Sequence, residues 1–105
     1  MRTDGVKGHL DLLLLAELDR GPGHGYALIE RLRDRSAGLF DFPEGTIYPA
    51  LHRLERAALV SSAWSSREGR RRRVYSIARR GRTALRDELR DWKSFARAVE
   101  RVVAT

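Results

Sequence analysis

The chain has no cysteine among its 105 residues. That excludes disulfides, thiolate catalysis and cysteine-bound zinc, and suits a reducing cytosol. Long apolar runs are missing as well. The stretch Leu12 to Ala16 is far too short to span a membrane and is flanked by Asp11 and Glu17. The first residues, Met1 to Lys7, are polar, so the expectation is a soluble intracellular protein without a membrane partner. Histidine is scarce, and His9, His24 and His52 match no metal-ligand spacing. Ser61, Ser62, Ser65 and Ser66 form no nucleophile elbow, and no glycine-rich phosphate loop is present. Enzymatic activity, a metal site and a cofactor are therefore not expected. Neither an internal repeat nor a low-complexity linker is visible, and the length suits one domain with a modest core.

What is abundant is arginine. The net charge is +7, and residues 67 to 82 carry eight arginines against the single acid Glu68. The remainder of the chain is neutral, so the whole excess lies in one block. A confined cationic block is the footprint of a polyanion-binding surface, whereas a solvated arginine-rich exterior would scatter the charge.

Apolar periodicity places the elements. Residues 8 to 20 read as a first helix, with Leu10, Leu13, Leu14 and Leu18 on one face. Leu12 and Leu15 widen the apolar surface enough to suggest a second buried side, such as a subunit partner. Gly21-Pro22-Gly23 forms a turn, and His24-Gly25 opens a second helix that buries Leu28, Ile29 and Leu32 and stops at Gly38. In the loop that follows, Phe40 and Phe42 are expected to cap the core. Pro43 and Glu44 begin a third helix with Ile47, Leu51, Leu54 and Ala58 inward, and Pro49 predicts a bent or 3₁₀-like start. Val60 to Ser66 and Arg71 to Ile77 read as a hairpin turning at Glu68-Gly69. That register sets Val60 opposite Ile77, Ser62 opposite Tyr75 and Trp64 opposite Arg73, the last as a cation–π pair. From Arg79 to Val103, Leu85, Leu89, Trp92, Ala96, Val99 and Val103 repeat at heptad spacing.

The expected fold class is mainly α with a small β-hairpin (α+β): a winged helix-turn-helix at residues 1–78 and one long C-terminal dimerisation helix at 79–105. A short helix with a polar outer face followed by a basic hairpin places a helix in the major groove and a cationic wing on phosphates. The expected DNA-contacting residues are Thr46, Tyr48, Pro49, His52 and Arg53 on the helix, Arg70, Arg71, Arg72 and Arg73 on the wing, and Tyr26. Arginine reads guanine through its bidentate fork. The expected dimer interface comprises Leu12, Leu15, Leu85, Leu89, Trp92, Val99 and Val103. Trp92 has two readings. It packs in the seam, or with Leu89, Phe95 and Ala96 it lines an apolar pocket for a flat ligand. A basic module for RNA or a protein partner is the rival for the chain as a whole.

Three motifs in order, Leu12 to Leu15 with Gly21-Pro22-Gly23-His24-Gly25-Tyr26, Gly45 to Glu55, and Gly69 to Tyr75, resemble the PadR family of transcriptional regulators. Gly81 and Leu85 are similar to that family's start of the last helix, and the resemblance covers roughly residues 8 to 103. It implies a homodimeric repressor on a palindromic double-stranded DNA operator, cytoplasmic and nucleoid-associated, often released by phenolic acids, drugs or other small aromatic effectors. It implies the compact subgroup, in some members of which a tryptophan in the last helix lines a pore at the dimer interface, a position Trp92 matches. Two departures stand out. Ala78 replaces the frequent threonine before the last helix, and Pro43-Glu44 replaces Ser-Pro, leaving Thr46 to substitute for a serine hydroxyl on phosphate.

Overall fold

The computed structural model describes residues 9–104. Its elements run α1 (Leu10–Arg20), β1 (Gly23–His24), α2 (Gly25–Arg35), α3 (Glu44–Arg56), β2 (Val60–Arg67), β3 (Arg70–Ile77) and α4 (Arg79–Val103). Residue 8, expected to start the first helix, lies outside the described residues. The strands form an antiparallel sheet in the order β1-β3-β2, so the class is α+β as read. The reading missed β1. Gly23 and His24 pair with Tyr75 and Val74, turning an apparent inter-helix turn into a sheet edge.

The core is aliphatic. Leu10, Leu14, Leu15 and Leu18 of α1 meet Leu28, Ile29 and Leu32 of α2, Ile47, Leu51 and Leu54 of α3, Val60 of β2 and Tyr75 of β3. Each such side chain, fully buried, contributes about 1.5–3 kcal/mol. Two α1 positions differ from the reading. Leu15 is wholly enclosed in the protomer's own core and Leu12 nearly so, while Leu13 packs half-buried against that core. Leu15 therefore has no surface to offer a subunit partner. Among the described residues the buried polar one is Glu17, paired with Arg35 through Nε and through a 3.3 Å bond from Nη2. This pairing raises the Arg35 guanidinium further above its ordinary value.

Helix ends are set by local chemistry. His24 caps α2, its Nδ1 accepting the Ala27 N–H at 3.1 Å. At the other end Gly38 N–H reaches the Arg33 carbonyl at 2.8 Å and Ala37 N–H that of Asp34, a Schellman closure. α3 closes the same way, through Leu59 N–H to Leu54 and Ala58 N–H to Glu55. Ala58 was expected on the inward face. It is instead the left-handed residue just past the helix, at φ 62°, and is exposed. The 3.6-residue period continued past a terminus that its backbone bonds had already closed.

Pro49 does not bend α3 into a separate segment. The helix is continuous from Glu44, with a 3₁₀-type bond from Thr46 N–H to Pro43 at its first turn. The bond Pro49 cannot donate would have gone to Gly45, which is exposed to water. In the preceding loop Phe42 packs on the core and Phe40 stacks on it at 6.1 Å, while Leu39 is exposed.

The hairpin has the expected register, with Val60, Ser62 and Trp64 opposite Ile77, Tyr75 and Arg73. Its two turn residues both have positive φ, 52° at Glu68 and 73° at Gly69, as a type I′ hairpin turn requires. α4 then starts at Ala78, whose side chain makes no cap bond. Its first turn is pressed against Leu59: a Cβ on Gly81 would lie 2.0 Å from the Leu59 carbonyl oxygen. The helix spans roughly 37 Å.

Candidate nucleic-acid interface

α3 and the wing form one surface. The inward face of α3 buries Ile47, Ala50, Leu51 and Leu54, which leaves Pro49, His52 and Arg53 exposed and Thr46 and Tyr48 half-buried. Tyr48 is positioned by Gly25 of α2. A Cβ there would lie 2.4 Å from the Tyr48 ring, so the glycine makes the seat for the phenol. Tyr26, one residue on, is 53% exposed at the start of α2. Arg53 is not a free reader. Its guanidinium is ion-paired with Asp11 of α1, and its side chain stays half exposed.

The wing arginines divide by face, because side chains alternate along a strand. Arg71 and Arg73 lie on the same face as Tyr75, which is buried in the core. Both stack on Trp64, at 4.7 and 5.4 Å from the ring centroid. Arg73 also donates to Ser62 Oγ at 2.7 Å, and Ser62 Oγ donates to Glu55 Oε2 at 2.6 Å. This chain ties the wing to the last turn of α3. Arg73 is thus a brace between wing and helix as well as a cation. Arg70 and Arg72 occupy the opposite face. There Arg72 Nη1 lies 2.6 Å from His24 Nε2 across the β1–β3 pair. Burial holds His24 below its ordinary value, with Arg72 and Arg31 adding to the effect and Glu30 opposing it. Burial likewise pushes the Tyr75 phenol up.

The sequence reading missed Asp11, Glu55, Ser62 and His24 in these roles. Asp11 and His24 work through partners distant in sequence, and Glu55 and Ser62 through a contact between separate elements, so no helical or strand spacing marks them. The one local signal was His24 directly before a helical period, in a position to cap.

The C-terminal positions separate into two sets. Leu85 packs partly on the core, and Phe95 and Ala96 are half-buried, Phe95 with its ring 6.5 Å from that of His9. Leu89, Trp92, Val99 and Val103 are 38, 42, 41 and 69% exposed and form an uncovered apolar stripe. Among the described residues no group of histidines and acids could hold a metal, and no helix is long and apolar enough to cross a membrane.

Comparison with known proteins agrees with this geometry. The model of the transcriptional regulator PadR-like family matches residues 14–87. A transcriptional regulator of Clostridium thermocellum superposes with a TM-score of 0.89 at 26% identity, over 96% of this chain and 99% of that one. A PadR family regulator of Eggerthella lenta superposes with a TM-score of 0.83 at 30% identity, over 94% and 85%. A transcriptional regulator of Mycobacterium tuberculosis is 46% identical over 55 residues, 52% of this chain and 51% of the relative. With a matched segment that runs from the middle of α1 into α4 and takes in both α3 and the wing, the chain belongs to the PadR-like family of non-enzymatic, DNA-binding transcriptional regulators.

Proposed function

We propose that the protein is a homodimeric repressor of a palindromic operator. The observation that carries this reading is the joining of α3 to an arginine-rich wing through Glu55, Ser62 and Arg73, which makes helix and wing one rigid reading head. Thr46, Tyr48, Pro49, His52 and Arg53 face base edges and nearby phosphates, with Tyr26 beside them. Arg70 to Arg73 hold the phosphate backbone. The apolar stripe on α4 supports pairing of two copies, with Leu85 at its base. Residues up to 78 then act as the reading unit and α4 as the dimerising one. Two reading heads would sit about 34 Å apart, one turn of the duplex. Gel-shift titration against DNA upstream of the protein's own gene, with random competitor at two salt concentrations, tests it. A complex that survives competitor is expected; equal loss to random DNA would leave only a non-specific basic module.

The stripe also supports an effector reading. Trp92 is 42% exposed beside Leu89, Phe95 and Ala96, so two copies of α4 that splay apart would enclose a flat aromatic compound between them. In a Trp64→Phe background, quenching of Trp92 emission by planar aromatics at micromolar concentration is expected. No quenching would place Trp92 in packed core.

A further inference from the structure

Between the start of α2, β1 and the wing lies a cleft of about 640 Å³, within the size range of small-molecule sites. Four arginines line it, Arg31, Arg67, Arg70 and Arg72, together with His24, against the carboxylate of Glu68. Arg70 and Arg72 point to this side because Tyr75, two residues beyond Arg73, points to the core. Ala27 and Val74 add apolar surface. Arg31 is committed: it donates to the carbonyls of Gly21 at 3.1 Å and Pro22 at 2.9 Å, and so contributes fixed positive potential.

The hydrogen bonds of His24 are in surplus on the donor side. The Ala27 N–H points at Nδ1 at 3.1 Å, and Arg72 Nη1 stands 2.6 Å from Nε2. A neutral imidazole offers one lone pair and one N–H. The backbone amide belongs to the first turn of α2 and needs its acceptor. With Nδ1 accepting, Nε2 carries the proton and faces a second donor. An acceptor placed in the cleft and touching both Nε2–H and Arg72 resolves the mismatch, and Arg67 and Arg70 supply further charge. A phosphoryl oxyanion, with several acceptor oxygens and negative charge, meets that demand best.

We propose that this cleft is a phosphoryl-binding site, seated on His24 and Arg72. The oxyanion comes from a free phosphate ester or from the DNA backbone. The site itself stands without the operator reading, because its first test contains no DNA. Only its consequence rests on that reading: a bound phosphate ester occupies Arg70 and Arg72 and competes with DNA for the wing.

The test is the imidazole nitrogen NMR spectrum of the full chain, titrated with inorganic phosphate at constant ionic strength, with chloride as the balancing ion. Phosphate should shift His24 selectively and leave the exposed His52 in place. It should also raise the pKa of His24, since an anion offsets Arg72 and Arg31 and acts in the same sense as Glu30. His24→Asn keeps a capping oxygen for Ala27 but removes the Nε2 donor, and Arg72→Ala removes the other. Each should weaken phosphate about tenfold in isothermal titration calorimetry, a readout that does not need the His24 ring, as expected for a lost charge-assisted bond. A second titration uses random duplex DNA. A response to phosphate, with phosphate displacing the duplex, assigns the site to a free ester. A response to the duplex alone assigns it to the DNA backbone. No His24 response to either in the unaltered protein overturns the proposal, as does a phosphate affinity that both variants retain undiminished from the unaltered protein.

Discussion

Ala58 and Gly81 carry opposite backbone demands, and exchanging their residue types separates them. Ala58 sits at φ 62° at the end of α3, where an L-residue costs about 1 kcal/mol and glycine does not. Ala58→Gly should raise stability by about 0.5–1 kcal/mol in denaturant melts. Gly81 has ordinary helical geometry but no room: a Cβ would meet the Leu59 carbonyl oxygen at 2.0 Å and Ile77 Cγ1 at 2.8 Å. One neighbour is backbone and cannot rotate away. Gly81→Ala should therefore cost about 2–3 kcal/mol, read as a fall in thermal midpoint, despite alanine's better helix propensity. The first substitution corrects the inward role read for Ala58 from its spacing. The second concerns a glycine legible only as part of a family motif, because the crowding that requires it comes from Leu59, far off in sequence.

At the scale of elements, the wing is the part the sequence displayed most openly. Its strands, turn and register follow from alternation and from a Glu-Gly pair between two polar runs. Less visible was the division of labour among its arginines. Arg73 is tied to Ser62, and through it to Glu55, Arg72 meets His24, and Arg71 stacks on Trp64. Replacing Arg71 and Arg72 together with alanine should weaken binding to all duplex sequences. The slope of log K against log salt should flatten by about one for each phosphate that is no longer neutralised. An unchanged slope would mean that neither arginine touches phosphate. Arg73→Ala should add a different defect, loosening the wing from α3 and reducing discrimination between sites. α1 was legible as a helix but not in its allegiance, since its second apolar side, Leu12 and Leu15, turned out to be buried within the protomer.

For the molecule as a whole, the stripe on α4 is the feature that a lone protomer leaves unsatisfied. A protomer with Leu89, Trp92, Val99 and Val103 open to water forgoes the burial free energy a partner would supply, about 25 cal/mol for each Å² of apolar surface. Under the proposed pairing, Leu89→Asp should convert the dimer into a monomer in sedimentation velocity while the core of α1, α2 and α3 stays folded. Operator affinity should fall with it, because two reading heads held together bind far more tightly than either alone. A variant that remains dimeric would move the interface away from this stripe. Mutual support of this kind is usual in a small domain, where a single core supplies little margin.

By itself the sequence determined the elements, the wing register and the location of the charge. These depend on periodicity, turn chemistry and composition, which act over a few residues. Only the tertiary structure decided what those elements meet. It made Gly23 and His24 a third strand, enclosed Leu15, paired Asp11 with Arg53 and Glu17 with Arg35, and brought His24 against Arg72. Each of these joins segments that lie far apart along the chain. The free energy of such meetings resides in burial and geometry that no local pattern encodes.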